Sequence, residues 1–152
     1  MPKSPLISIV APVYNEEAVV ERFYKTLKRV TKKITKYRFE IILVDDGSSD
    51  RSLIILKYLS LRDQAVKTIS LSRNFGHQIA MVAGLDHASG DAVITLDSDL
   101  QDPPKEIINL IKKWEQGAEI VLAERISRQD PFFVKFFARL FYQLQKDRKS
   151  VV

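Results

Sequence analysis

Short apolar runs alternate with longer amphipathic stretches along most of the chain, and few folds accept that order. Runs rich in Val, Ile and Leu at 7–12, 40–44, 66–71, 92–96 and 119–123 read as strands. Stretches at 17–34, 50–61, 77–88 and 104–116 read as helices. Unbroken apolar strands suit a parallel sheet covered on both faces, because a one-sided sheet would alternate apolar with polar. The order predicts an α/β fold of the Rossmann-like type: a doubly wound, mainly parallel sheet with flanking helices and right-handed crossovers. The punctuation agrees. Ser49 or Asp50 can cap the second helix, Asp102 before Pro103 the fourth, and Gly90 and Gly117 stand where helices should end.

At 152 residues the chain has the size of one domain. Its formal net charge of +5 admits anionic partners without choosing among them. There is no cysteine, so disulfides and thiolate metal sites are excluded, and a metal would need oxygen or imidazole ligands. No apolar stretch approaches the ~20 residues that span a bilayer. Lys3 ahead of a short apolar run does not make a secretory signal. The chain has no P-loop, G-x-G-x-x-G or G-x-S-x-G pattern, which weighs against kinase, dinucleotide-binding and hydrolase chemistry.

Ligands of open α/β sheets bind beyond the carboxyl ends of the strands. Four polar clusters are expected there: PVYNEE, VDDGSSD, SRNFGHQ and LDSDLQDPP. In the last, a strand delivers Asp97 and Asp99 at alternate positions, where two carboxylates can share a hard divalent cation. Asp102 is read mainly as a helix cap. In VDDGSSD an exposed Asp46 carboxylate can accept from a base N–H or a ribose hydroxyl, the alternative being a turn with helix-capping acids. Arg73 is either a diphosphate ligand or a plain surface arginine. His77 and His87 lack metal-ligand spacing and read as structural or surface residues.

The end of the chain differs in kind. Phe133, Phe136, Phe137, Leu140, Phe141 and Leu144 recur at helical spacing, interleaved with Lys135, Arg139 and Lys146. Such a helix either packs in a core or lies at a membrane surface. The expected division is therefore a domain over 1–128 and an amphipathic tail over 129–152. Nucleic-acid binding is not expected, since these aromatics form one stripe and have no sheet platform.

Taken in order, APVYNEE, VDDGSSD, SRNFGHQIAMVAGLDHASGD, LDSDLQDPP and VLAERISR resemble the GT-A glycosyltransferases of family 2, above all the bacterial polyprenyl-phosphate glucosyltransferases. The dolichyl-phosphate mannose synthases are more distant relatives. The resemblance implies transfer of a sugar, with inversion, from an NDP-sugar donor to a polyprenyl phosphate acceptor. UDP-glucose is the implied donor and Mg²⁺ or Mn²⁺ the implied cofactor. Pro12, Tyr14 and Glu16 would border the nucleoside, Val44 and Asp46 the base, and Asp97, Ser98, Asp99 and Gln101 the metal and diphosphate. Arg125 would face the donor diphosphate or, with Arg128, the acceptor phosphate. The implied location is the cytoplasmic face of a membrane, with a homo-oligomer left open. Members of the family continue further, with more catalytic domain and membrane spans. The competing expectation is therefore a nucleotide-sugar-binding module that needs a partner.

Overall fold

A computed structural model describes residues 4–99 and 104–123. The chain divides into two compact units, Met1–Ile120 and Val121–Val152. The architecture below is that of the first. Four strands form one parallel sheet: β1 (Leu6–Val13), β2 (Arg38–Asp45), β3 (Val66–Ser70) and β4 (Ala92–Thr95), in the order β3-β2-β1-β4. The helices are α1 (Val20–Thr31), α2 (Ser52–Arg62), α3 (His77–Asp86) and α4 (Ile107–Glu115), the last preceded by a 3-10 turn at Pro104–Glu106.

The sheet is covered on both faces, which is why its strands read as unbroken apolar runs. Ile7, Ile9, Ala11 and Val13 of β1 and Ile41 and Leu43 of β2 meet Val20, Phe23 and Leu27 of α1, Leu56 of α2, and Ile107 and Ile111 of α4. The opposite face is smaller: Val10, Ile42 and Val44 pack beneath Ala80 of α3. Because α1 and α3 lie on opposite faces, the winding reverses between β1 and β4. A crevice opens at the carboxyl ends of that pair.

Two expectations about local structure need correction. Residues 119–123 form no strand, and the sheet has no fifth strand among the described residues. Apolar composition supplies only half of a strand; the other half is a hydrogen-bonding neighbour. Gly90 does not end a helix, since α3 stops at Asp86 with His87 as its cap. A Cβ at Gly90 would lie 2.6 Å from the Ser8 nitrogen, so the residue is small because β1 passes against it. Gly117 does end α4. At φ 93° it donates to the Trp114 carbonyl at 2.9 Å, and Ala118 donates to that of Lys113 at 3.3 Å, the paired bonds of a Schellman cap.

Candidate active site

Three of the four polar clusters interlock into one rim along the carboxyl edge of the sheet. After β1 the chain turns through Asn15 in a left-handed conformation, φ 53°. The Asn15 amide donates to Ser48 Oγ at 3.0 Å, and Asn15 Oδ1 accepts the Ser49 amide at 2.8 Å. The Glu16 amide donates to Ser52 Oγ, the Glu17 amide to Asp50 Oδ2, and the Arg51 amide to Glu17 Oε2. Asp50 also accepts the Ser52 amide on its other oxygen and so stitches two loops together. The expectation that Ser49 or Asp50 caps α2 is corrected, because the N-cap is Arg51, whose carbonyl accepts the Ile55 amide, and no side chain caps the helix.

The loop after β3 is held by Asp46. Its two carboxylate oxygens accept the Phe75 amide at 2.8 Å and the Gly76 amide at 3.0 Å, directly before α3. Beside it Gly47, at φ 68°, packs on the Arg73–Asn74 backbone, where any Cβ would come within 2.3 Å of a carbonyl carbon. The expectation of an exposed Asp46 is overturned: the residue is 2% exposed, because its carboxylate satisfies two amides that would otherwise be orphaned.

The fourth cluster closes the crevice. The Leu96 amide donates to the Val10 carbonyl at 3.0 Å, extending the β1–β4 ladder by one rung. Asp97 therefore emerges next to Pro12. Ser98 is buried, and its hydroxyl donates to the Pro12 carbonyl at 2.8 Å, which fixes the turn between the two aspartates. A cavity of about 360 Å³ results, lined by Pro12, Glu16, His77, Asp97, Ser98 and Asp99. His77 Nε2 lies 3.5 Å from Asp97 Oδ1, both side chains being partly open to solvent. Burial, followed by the charges of Asp99 and Asp50, raises the Glu16 carboxyl above its ordinary value. Glu16, Asp97 and Asp99 together give this opening a negative potential.

Of the residues singled out from sequence, Pro12, Glu16, Asp97, Ser98 and Asp99 thus line one cavity. Tyr14 is 47% exposed one turn of chain before Glu16. Val44 is fully buried beneath α3, so its side chain belongs to the core and is not offered to a ligand. Arg73 is exposed, stacks its guanidinium 4.5 Å from the Phe75 ring centre, and is not part of the cavity lining. Gln101, Asp102, Arg125, Arg128 and the Phe-rich segment lie outside the described residues. His77, read from the sequence as a structural or surface residue, is exposed; as the first residue of α3 it also lines this cavity.

Residues 8–151 match the family described as Glycosyl transferase family 2. An uncharacterized glycosyltransferase of Bacillus subtilis is 51% identical over 138 residues, covering 90% of this chain and 42% of the relative. The bactoprenol glucosyl transferase of Shigella phage SfV is 46% identical over 139 residues, 91% of this chain and 45% of the relative. The chain thus spans under half the length of these relatives. A solved mannosyltransferase from Pyrobaculum calidifontis, in complex with GDP-Man and Mn²⁺, shares the fold with a TM-score of 0.67 at 19% identity, over 87% of this chain and 38% of that one.

Proposed function

We propose, because the chain belongs to glycosyl transferase family 2, that it forms the donor-binding part of an enzyme moving a sugar from a nucleoside diphosphate to a polyprenyl phosphate. The observation that carries this reading is the acid-lined crevice between β1 and β4, with Glu16, Asp97 and Asp99 around it and His77 beside Asp97. The bactoprenol glucosyl transferase relative supports the acceptor, and its name supports glucose as the sugar. UDP-glucose is the proposed donor. The donor-binding domain is proposed to run to residue 128, with 129–152 as a tail at the cytoplasmic face of the membrane.

The residues present fit a hard divalent cation, Mg²⁺ or Mn²⁺. Asp97 and Asp99 offer carboxylate oxygens on either side of the fixed Ser98, and Gln101 is proposed as a third ligand. Among the described residues no three metal-ligating side chains converge, so the diphosphate and water would complete the shell. When bound, the ion would neutralise charge building on the departing diphosphate. The protein's own contributions are positional. Ser98 and Pro12 hold the aspartates at the strand end, Asp46 anchors the helix that presents His77, and Pro12, Tyr14 and Glu16 border the nucleoside. Arg125 and Arg128 are proposed to face the diphosphate and the acceptor phosphate. That phosphate is anionic near neutral pH, so its attack with inversion at the sugar carbon requires no strong base from the protein.

Calorimetry with UDP, UDP-glucose, UDP-galactose and GDP-mannose, in Mn²⁺ or in EDTA, tests this. Uridine nucleotides should bind in Mn²⁺, bind at least tenfold more weakly in EDTA, and lose that difference in Asp97→Asn. Equal affinity with and without metal removes the cation from the proposal. Failure of all four nucleotides to bind removes the donor site.

A further inference from the structure

We propose that the outer face of α1, continued by the end of α4, is a docking surface for an anionic lipid bilayer. Positions 20–38 hold eight basic residues and one acidic, a surplus of seven that exceeds the +5 of the whole chain. The positive charge is therefore concentrated here, with a second basic stretch in 129–152 and a net negative balance over the rest of the chain. The helix separates its faces sharply: Val20, Phe23, Leu27 and Thr31 are buried against the sheet, while Arg22, Lys25, Arg29 and Lys32 are exposed at spacings i, i+3, i+7 and i+10.

That row spans about 15 Å at 1.5 Å per residue. Lys33, Lys36, Lys112 and Lys113 extend it, all exposed. Between them lies a groove of about 340 Å³ whose lining includes Ile34, Ile108 and Ile111 together with Lys33, Lys36, Lys112 and Glu115. The acids nearby are already engaged. Glu21 pairs with Lys25 at 2.7 Å, and Glu115 accepts from Lys36 Nζ and the Tyr37 hydroxyl, both at 2.6 Å. Asp63 pairs with Lys28 at 2.7 Å. Among the described residues, Arg22, Arg29, Lys32, Lys33, Lys112 and Lys113 have no carboxylate within bridging distance.

A bilayer fits this surface better than a nucleic acid does. A helix carrying one row of exposed cations matches a plane of lipid phosphates. Nucleic-acid grooves ask instead for a concave track with stacking aromatics. On this face Tyr37 is buried and Trp114 half-buried, its ring 5.7 Å from that of Tyr37. The inference stands on charge layout and is independent of the proposed reaction.

The test uses the full chain and sucrose-loaded vesicles of phosphatidylglycerol with phosphatidylcholine, against phosphatidylcholine alone. The protein should sediment with the anionic vesicles at low salt, not with the neutral ones, and should release as salt rises through ~0.3 M. The triple variant R22E/R29E/K32E should bind at least ~10-fold more weakly, since each cation near the surface contributes separately. The variant R51E/K57E/R62E around α2, matched in net charge, should change binding less than ~3-fold. Calorimetry of UDP with Mn²⁺ on the α1 variant separates this inference from the donor site: its uridine affinity should be unchanged. If that variant does not fold, R22Q/R29Q/K32Q takes its place. The proposal is overturned if the α1 variant still binds, if both triple variants lose binding equally, if neutral vesicles bind as well, or if single-stranded RNA displaces the protein from vesicles through the same residues.

Discussion

Asp46 illustrates how an acid at a strand end can be turned inward to hold the next loop. Its carboxylate lies at the end of β2, 2% exposed, and accepts the two amides that lead into α3. Hydrogen bonds to a charged acceptor contribute about 1.5–3 kcal/mol each, and leaving the donors unpaired adds a desolvation penalty. Asp46→Ala should therefore lower unfolding stability by ~2–4 kcal/mol in urea titrations. Asp46→Asn should recover only part of this, since one amide would then face an NH₂. Nucleotide affinity should fall as well, as a consequence of freeing the loop before His77. An unchanged urea midpoint combined with lost nucleotide affinity would assign Asp46 to direct ligand contact instead. From the sequence, Asp46 could be placed at the strand end but not oriented. Which way an acid points there depends on whether the next loop passes close enough to claim it, and that approach is permitted by Gly47.

At the scale of elements, strands and helices whose partners are near in the chain were legible, because their apolar periodicity records burial directly. Their ends were not. The stretch 17–34 shortens to Val20–Thr31 because the amides of Asn15, Glu16 and Glu17 are committed to the next loop and the chain past Thr31 tightens into i to i−3 bonds, Lys33 to Val30 and Ile34 to Thr31. The junction of β1, β2 and β4 at the opposite edge was invisible too, since its residues are polar and scattered. There Glu40 Oε1 accepts the Ser8 hydroxyl and the Ser89 amide, both at 2.6 Å, and Oε2 meets Lys67 Nζ at 2.6 Å. Burial alone would raise the Glu40 carboxyl, but the bonds from Lys67, Ser8 and Ser89 outweigh it and hold it below its ordinary value. A depressed carboxyl contributes stability in full above its unfolded-state value, and that stability is lost as pH falls through the folded one. Wild type should accordingly lose stability with acidification below the ordinary glutamate range. Glu40→Gln should be less stable by ~1–3 kcal/mol at neutral pH and lose less on acidification. Identical pH dependence of the two urea midpoints would refute the role given to this cluster.

At the scale of the whole molecule, the ligand-binding edge was legible because four chemically unusual loops had to converge wherever a doubly wound sheet puts its strand ends. The electrostatic balance of that edge was not, since it arises from distances between loops. The crevice gathers Glu16, Asp97 and Asp99, and Glu16 is raised, first by burial and then by Asp99 and Asp50. The sign is opposite to that of Glu40. A carboxyl raised on folding penalises the folded state above its folded value, and the penalty disappears as pH falls through that value. The carboxyls of this crevice are thus brought together at a cost to the folded chain. Glu16→Gln should raise the unfolding temperature of the metal-free chain at pH 7 by ~1–2 °C, a fraction of a kcal/mol for a domain of this size. At pH 4, where the wild-type carboxyl is largely protonated, the two proteins should melt together. Mn²⁺ with UDP should stabilise wild type more than the variant, because part of what it relieves is already gone. Differential scanning calorimetry in EDTA at both pH values checks the first two statements, and the same scans with Mn²⁺ and UDP check the third. A variant less stable than wild type at pH 7 would mean that Glu16 supports the fold and that the crevice carries no electrostatic strain.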